Sequence, residues 1–290
     1  MIASYINGNT CVSIYEDGTK IREWDGTPVA MFPESIDVKI TDYCDMGCPY
    51  CHENSNRVGL HADLDRLLLA ISDLPSGVEL AIGGGNPLFH PELTRFLREL
   101  QKRGIIANIT INQQHIKDYW ELIFSMVAEN LVKGIGISVT DPSSSDLLLM
   151  VNISDNVVFH VIAGVHDVSI MGSLSRYPDS RVLILGYKTF GRGKGFYSSN
   201  VESNIDSWKK SLQRYIGGCV MAFDNLAIEQ LNVRRFLTPK GWDRFYMGDD
   251  FSFTMYIDAV KQEYAPTSCA TSRTSFRDTA LLEFFKGRLS

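Results

Sequence analysis

Nothing in this 290-residue sequence is apolar for long enough to cross a bilayer, which takes about eighteen such residues in a row. Residues Met1 to Thr10 carry neither a basic start nor an apolar stretch, so no secretory signal is expected. Cysteine is scarce. Of the six, Cys11, Cys219 and Cys269 stand alone, and the other three crowd into residues 44–51. That distribution does not suit a disulfide framework, and a chain of this length buries a core without covalent staples. Clustered free thiols ask for a reducing compartment, so the expected location is the cytoplasm. There is no excess of basic residues either: 28 Lys and Arg against 34 Asp and Glu leave a net charge of −6. The balance argues against a nucleic-acid duplex as partner. The densest basic stretches, around Arg192 and Lys194, Lys209 to Arg214, and Arg234 with Arg235, read as solvated faces. Repeats of solenoid period, low-complexity tracts and Pro/Ser-rich linkers are also lacking.

What is present is the composition of a globular protein, 44% hydrophobic and 21% charged, and a repeated strand–loop–helix pattern. Residues 1–34 contain alternation on both sides of Asp17-Gly18, Cys11 to Tyr15 and Thr19 to Trp24, and predict a small N-terminal β-hairpin. From Ser35 onward the pattern predicts strands at 35–41, 78–82, 105–111, 134–139, 157–163 and 181–185. Helices are expected between them near 64–74, 91–103, 116–129 and 143–150. Strands alternating with helices imply parallel pairing through right-handed crossovers. Six such units over residues 35–202 make an α/β fold, a partial (β/α)6 barrel of the TIM type. Its functional groups belong at the C-terminal ends of the strands. Gly191-Arg-Gly-Lys-Gly195 reads as a mobile loop. Residues 203–290, with a helix near 205–216, a strand at 220–223, a helix at 225–231 and a second hairpin at 253–264, are expected to be a C-terminal extension closing the barrel's open side.

The chemistry is carried by Cys44, Cys48 and Cys51, spaced three and then two residues apart in the loop after the first strand, with Tyr50 just before the last. Three thiolates at this spacing converge on one face of a loop. An iron–sulfur cube held by three cysteines keeps one iron free of protein ligands, and an open coordination position is where a metal site does chemistry. The alternative is structural zinc in a Cys3His set with His52, in a non-catalytic module. His52 follows Cys51 directly, however, and adjacent side chains fit one tetrahedral ion badly.

The Cys-x3-Cys-x2-Cys spacing with its aromatic residue resembles the signature of the radical S-adenosylmethionine (radical SAM) enzymes. The resemblance implies one 4Fe–4S cluster on Cys44, Cys48 and Cys51. Its fourth iron would be chelated by the amino and carboxylate groups of S-adenosylmethionine. One electron then cleaves that cofactor to a 5′-deoxyadenosyl radical, which abstracts hydrogen from substrate. The family's glycine-rich motif, usually Gly-Gly-Glu-Pro, receives the cofactor's amino group. Here Gly83, Gly84 and Gly85 precede Asn86 and Pro87, so an amide replaces the carboxylate and main-chain carbonyls are expected to carry more of the contact. Ser138 matches the polar residue that the fourth strand supplies to the cofactor, with Asn112 on the same rim. Gly164 ends the apolar stretch expected to pack on adenine. An electron donor of the flavodoxin or ferredoxin type is implied as partner.

Several residues keep two readings. Asp224 is first a helix N-cap and secondarily a substrate ligand at the barrel mouth. His52 and His90 lie near the expected site, either in proton transfer or as satisfied structural histidines. Cys219 and Cys269 are too few for an auxiliary cluster; each is first a buried small residue and secondarily a hydrogen-atom donor or nucleophile. The substrate is open between a peptide or protein, favoured by the acidic composition and the added hairpins, and a small metabolite, nucleotide or RNA.

Overall fold

The computed structural model describes residues 1–289. Three short antiparallel strands come first, β1 (Ala3–Asn7), β2 (Thr10–Ile14) and β3 (Lys20–Trp24), and form a separate sheet in that order. The expected hairpin is its second half, turning at Gly18 with φ +81°. β1 lies outside that expectation. Its Ala-Ser-Tyr-Ile-Asn has no clear alternation, and it takes its place by pairing with β2.

The body is one ten-stranded sheet. It begins with β4 (Ser35–Thr41), α1 (Leu64–Ala70), β5 (Glu79–Gly84), α2 (Leu93–Lys102), β6 (Ile106–Asn112) and α3 (Trp120–Ala128). Next are β7 (Gly134–Ser138), α4 (Ser145–Ile153), β8 (Val157–Ile162), the unforeseen α5 (Ile170–Leu174) and β9 (Arg181–Leu185). Local signals set these boundaries. Asp63 accepts from the N–H groups of Asp65 and Arg66 to start α1, and Ser144 accepts from Asp146 to start α4. α3 begins four residues later than its apolar stripe suggests, because Asn112 caps a 3-10 turn over Gln113–His115.

The chain continues through α6 (Arg192–Phe196), α7 (Ser199–Ser211), β10 (Val220–Phe223), α8 (Asn225–Leu231) and α9 (Pro239–Phe245). It ends with β11 (Thr254–Asp258), β12 (Glu263–Ala265), β13 (Thr274–Ser275) and α10 (Leu281–Lys286). Two features depart from the six-unit expectation. β10 pairs parallel to β9 as a further β/α unit, and β11 pairs parallel to β4 on the opposite edge. Eight strands, β4 to β11, therefore pair parallel, while β12 pairs antiparallel with β11 on one side and with β13 on the other, so that among the described residues of this sheet β12 alone runs the opposite way. The hairpin expected at 253–264 exists, but its first arm belongs to the parallel sheet. Residues 191–195 are also no free loop: most of them form α6.

Most of the parallel strands have one face buried under helices and one more open, while β7 and β11 are buried on both faces and β10 on neither. Ile36, Val38 and Ile40 of β4 and Leu80 and Ile82 of β5 are buried, as are Phe96 and Leu97 of α2. The other face carries small or polar residues on β4 to β7 and adds Val158, Ile162, Leu183 and Leu185 on β8 and β9. Tyr256, Asp37, Ala81 and Asn108 are register neighbours across four strands. Asn112, Ser138, His160 and Leu183 form a second such row. The concave interior is thus not filled by Val, Ile and Leu as in a packed barrel. It is a lumen that is polar along β4 to β7 and apolar along much of β8 and β9.

The N-terminal sheet covers the lumen where the parallel strands begin. Val12 and Ile14 pack on Ile106, Arg22 Nε bonds Glu34 Oε2 at 2.7 Å, and Arg181 reaches the Asp17 carboxylate at 3.6 Å. Functional groups are left to the other end, where the loops follow the strands.

Candidate active site

The cysteine loop leaves β4 and returns to it. Asn56 N–H donates to Asp42 O at 3.0 Å, Cys44 N–H donates to Asn56 O at 2.9 Å, and Ala62 N–H donates to Ile40 O at 2.9 Å. Between these ties lie the three half-buried thiols, near enough for their charges to interact. Burial pushes the Cys44 thiol up, Met46 N–H opposes by donating to the sulfur, and the neighbouring Cys48 and Cys51 push it further. Cys48 is raised by burial and by Cys51, while the Tyr50 hydroxyl, which donates to its sulfur, and the Arg192 charge draw it down. Burial and the same two thiols push the Tyr50 hydroxyl up to about 12. Cys44 and Cys48, each furnished with an N–H or O–H donor and each disfavoured as a lone thiolate by its neighbours, are the kind of ligand that a cationic metal group stabilises. Among the described residues no three His, Cys, Asp or Glu side chains close on a single ion. A cube is less crowded, since each cysteine meets a different iron, and the donor set fits it.

The glycine turn after β5 lies against this loop. Gly85 N–H donates to Thr41 O at 2.8 Å, and Asn86 N–H donates to Tyr43 O at 2.7 Å. A Cβ on Gly85 would stand 2.0 Å from Tyr43 O, so only glycine permits the approach. Asn86 is 1% exposed. Its Oδ1 accepts from Leu88 N–H at 3.2 Å, and its Nδ2 is buried without a partner. The side-chain oxygen is engaged as a cap, and the accessible part of the motif is the backbone of Gly83 and Gly84.

Behind the loop sits a charged knot. Lys39, 4% exposed on β4, holds Asp258 at 2.7 Å, Asp42 at 2.9 Å and Glu53 at 3.2 Å. Burial raises the Glu53 carboxyl. His52, Lys39 and the Tyr256 hydroxyl outweigh it and bring Glu53 down to about 2. His52 lies 3.4 Å from Glu53, and burial holds its imidazole below the usual histidine range. Arg273 stacks over Tyr256 at 5.1 Å and donates to Ser268 O at 2.7 Å. Lys188 donates to Ser268 Oγ at 3.0 Å. Asp37, one step deeper on β4, is accessible to water but walled by protein. Burial raises its carboxyl, Lys188 opposes, and Asp224 and Asp250 add to the rise.

The remaining sequence candidates fall as follows. Asn112 accepts from Gln114 N–H at 2.9 Å as a cap, and Ser138 is half-buried beside it in register. Gly164, φ +97°, is buried under α7 and accepts from Asn204 at 3.1 Å. Asp224 is the expected N-cap, its Oδ1 accepting from Ala227 N–H at 2.7 Å and Gly186 N–H at 2.9 Å. His90 is structural, buried between Ala62 O at 3.1 Å and Glu92 N–H at 3.2 Å. Three contributors have no local signal in the sequence. His115 Nε2 lies 2.8 Å from Asp45 of the cysteine loop, Lys39 centres the knot, and Arg192 N–H donates to Cys51 O at 3.0 Å. The glycines flanking Arg192 were the one available hint, since they mark a close approach of backbones.

Residues 38–170 match the model of the Radical SAM superfamily. Among solved structures, Streptococcus suis SuiB bound to precursor peptide SuiA is similar, with a TM-score of 0.62 and 15% identity over 89% of this chain and 65% of that one. This chain thus spans just under two thirds of that protein's length. SuiB bound to S-adenosylmethionine gives 0.61 and 14% over 90% and 69%. The structure of anSMEcpe with bound AdoMet and the Cp18Cys peptide gives 0.56 and 12% over 87% and 80%. No curated protein matches the chain in sequence. At these identities the structural likeness speaks for the fold.

Proposed function

Because residues 38–170 match the Radical SAM superfamily model, we propose that this protein is an enzyme that cleaves S-adenosylmethionine reductively and modifies a peptide or protein. Cys44, Cys48 and Cys51 would hold one 4Fe–4S cluster, and their convergence in one loop is the observation that carries the reading. When bound, the cluster and S-adenosylmethionine supply an electron and a carbon radical able to take hydrogen from substrate. The chain's own residues bind and orient. The Gly83 and Gly84 carbonyls offer acceptors to the cofactor's ammonium, with Gly85 and Asn86 holding that turn against the loop. Tyr50 holds Cys48 through its hydroxyl, and Asn112, Ser138 and Gly164 stand at strand ends on the same rim. The N-terminal sheet keeps water out of the lumen from below.

A peptide is favoured because SuiB and anSMEcpe are each seen with one, and because the lumen keeps polar groups open to a large ligand. A small metabolite or nucleotide is the second reading, favoured by the short turns after β5 and β7. A neighbouring gene for a short precursor peptide would favour the first. The chemistry calls for a flavodoxin- or ferredoxin-type donor and a reducing compartment, which we take to be the cytoplasm. Among the described residues no helix is long and apolar enough to cross a membrane.

The test is anaerobic incubation of reconstituted protein with S-adenosylmethionine and dithionite. 5′-Deoxyadenosine should form, and Cys48→Ala should reduce it to background. Tightly bound zinc with no iron, sulfide or adenosyl cleavage would sink the reading.

A further inference from the structure

The turn between β9 and α6 closes on the cysteine loop from the far side of the sheet's strand order. Gly191 has φ +52°, and a Cβ there would stand 2.5 Å from His52 O and 2.8 Å from Cys51 O. Gly193 is buried, its carbonyl accepting from the Tyr187 hydroxyl at 2.6 Å, and a Cβ on it would stand 2.4 Å from Lys188 O. Between these two glycines Arg192 reaches into the loop. Its main-chain N–H takes Cys51 O, its Nε donates to Cys48 O at 2.9 Å, and its Nη1 donates to Ser55 O at 2.8 Å and Asn54 Oδ1 at 3.4 Å. The fourth position is different. Nη2 is buried and has no hydrogen-bond partner.

A buried, unpartnered guanidinium N–H is costly, and native proteins rarely keep one without a use. The loop carbonyls alone do not call for this residue. They need donors, which a neutral side chain supplies, whereas a cation beside Cys48 matters for a group whose charge changes. An iron–sulfur cluster gains a negative charge on reduction, and hydrogen bonds to its sulfurs are among the factors that set its potential. Arginine suits both tasks, because its planar fork orients several donors at once.

We propose that Arg192 is a positioning residue that locks the cysteine loop and raises the reduction potential of the bound cluster, its free Nη2–H serving as a donor to cluster sulfur. This rests on the cluster reading above. The consequence is an easier first electron, delivered before any substrate chemistry.

The test compares wild type, Arg192→Ala and Arg192→Lys after anaerobic reconstitution, with Arg98→Ala on the exposed face of α2 as control. Iron and sulfide per chain report loop locking, and an EPR-monitored redox titration without substrate reports the potential. Arg192→Ala should lose iron and lower the reduction equilibrium constant at least tenfold, about 59 mV for one electron. Arg192→Lys should recover part of the potential through its charge but not the retention of iron, for want of the fork. Arg98→Ala should match wild type. Full iron content with an unshifted potential in Arg192→Ala overturns the proposal and leaves the cluster reading intact; a wild type that takes up no cluster removes both. Should Arg192→Ala fail to fold by circular dichroism, Arg192→Lys decides. A lysine variant equal to wild type in iron and potential overturns the proposal.

Discussion

Lys39 Nζ lies 2.7 Å from Asp258 Oδ2, which ties the first strand of the parallel sheet to the last one. The same ammonium reaches Asp42 and Glu53 of the cysteine loop, so one buried cation holds three carboxylates from two distant parts of the chain.

Lys39→Met should therefore be severe. It leaves Asp258 and Glu53 facing each other without a counter-charge, a loss in the class of broken buried ion pairs at about 3–5 kcal/mol. Water around the partly exposed Asp42 places the expected value near the lower bound. Urea unfolding should show a lower midpoint with an unchanged slope. A midpoint within experimental error of wild type would mean that the carboxylates find another partner.

Gly85→Ala tests the contact between the glycine turn and the loop. Its Cβ meets main-chain atoms of Tyr43, which cannot rotate away, so the turn has to lift. A cost of about 2 kcal/mol or more is expected, with reduced iron uptake on reconstitution. Gly195→Ala, within α6 and facing open space, should be neutral or stabilising by up to ~1 kcal/mol. Equal melting temperatures for the two variants would contradict this account.

Asp37→Asn separates function from stability. The fold raises this carboxyl, so its charge is tolerated rather than exploited, and stability from that group is reduced above its ordinary pKa near 3.8. The amide should leave thermal stability at pH 7 unchanged or higher. If the lumen receives the substrate, substrate-dependent turnover should fall while 5′-deoxyadenosine formed without substrate does not. A lower melting temperature would show that the carboxylate is a structural partner instead.

Among the groups that make the fold acid-sensitive, His160 and Glu53 act in different windows. Burial holds His160 down to about 4 from an ordinary 6.5. The unfolded chain therefore takes up this proton first, and the associated stability is complete above about pH 6.5 and lost as the pH falls to 4. Glu53, brought down to about 2 from 4.5, contributes stability above pH 4.5 that is lost as the pH falls to 2. Unfolding midpoints measured from pH 7 to 4 should decline less steeply in His160→Gln than in wild type. Parallel declines would rule out His160 as the upper group.

Sequence patterns were most informative where structure is local. β4, β9, β10 and α8 lie where alternation or an Asp cap placed them, and the cysteine spacing placed the three thiols on one loop. They were least informative about side. A period of two in Ile36, Asp37, Val38 and Lys39 says that the faces differ, and the polar one reads as solvent-facing. Here it faces the lumen, because β4 lies between β5 and β11 and its apolar face is covered by helices. Arg192 and Lys39 were illegible for a related reason. Their partners stand far away in the chain, as with Arg192 and Cys48 at 144 positions. The short helices α5, α9 and α10 carry too few turns for a stripe to show.

The pairing of β11 with β4 also sets a timetable. Tyr256 and Glu53, joined through a hydroxyl and a carboxylate, are 203 positions apart. On a ribosome adding about 5–20 residues per second, the thiols would wait roughly 10–40 seconds for that tie. Until then the nascent loop has its ties to β4 but not the Tyr256 and Asp258 contacts behind it. Closure behind the loop is accordingly a late event in the life of each chain, and oxygen exposure during synthesis should harm the yield of competent protein more than the same exposure after folding.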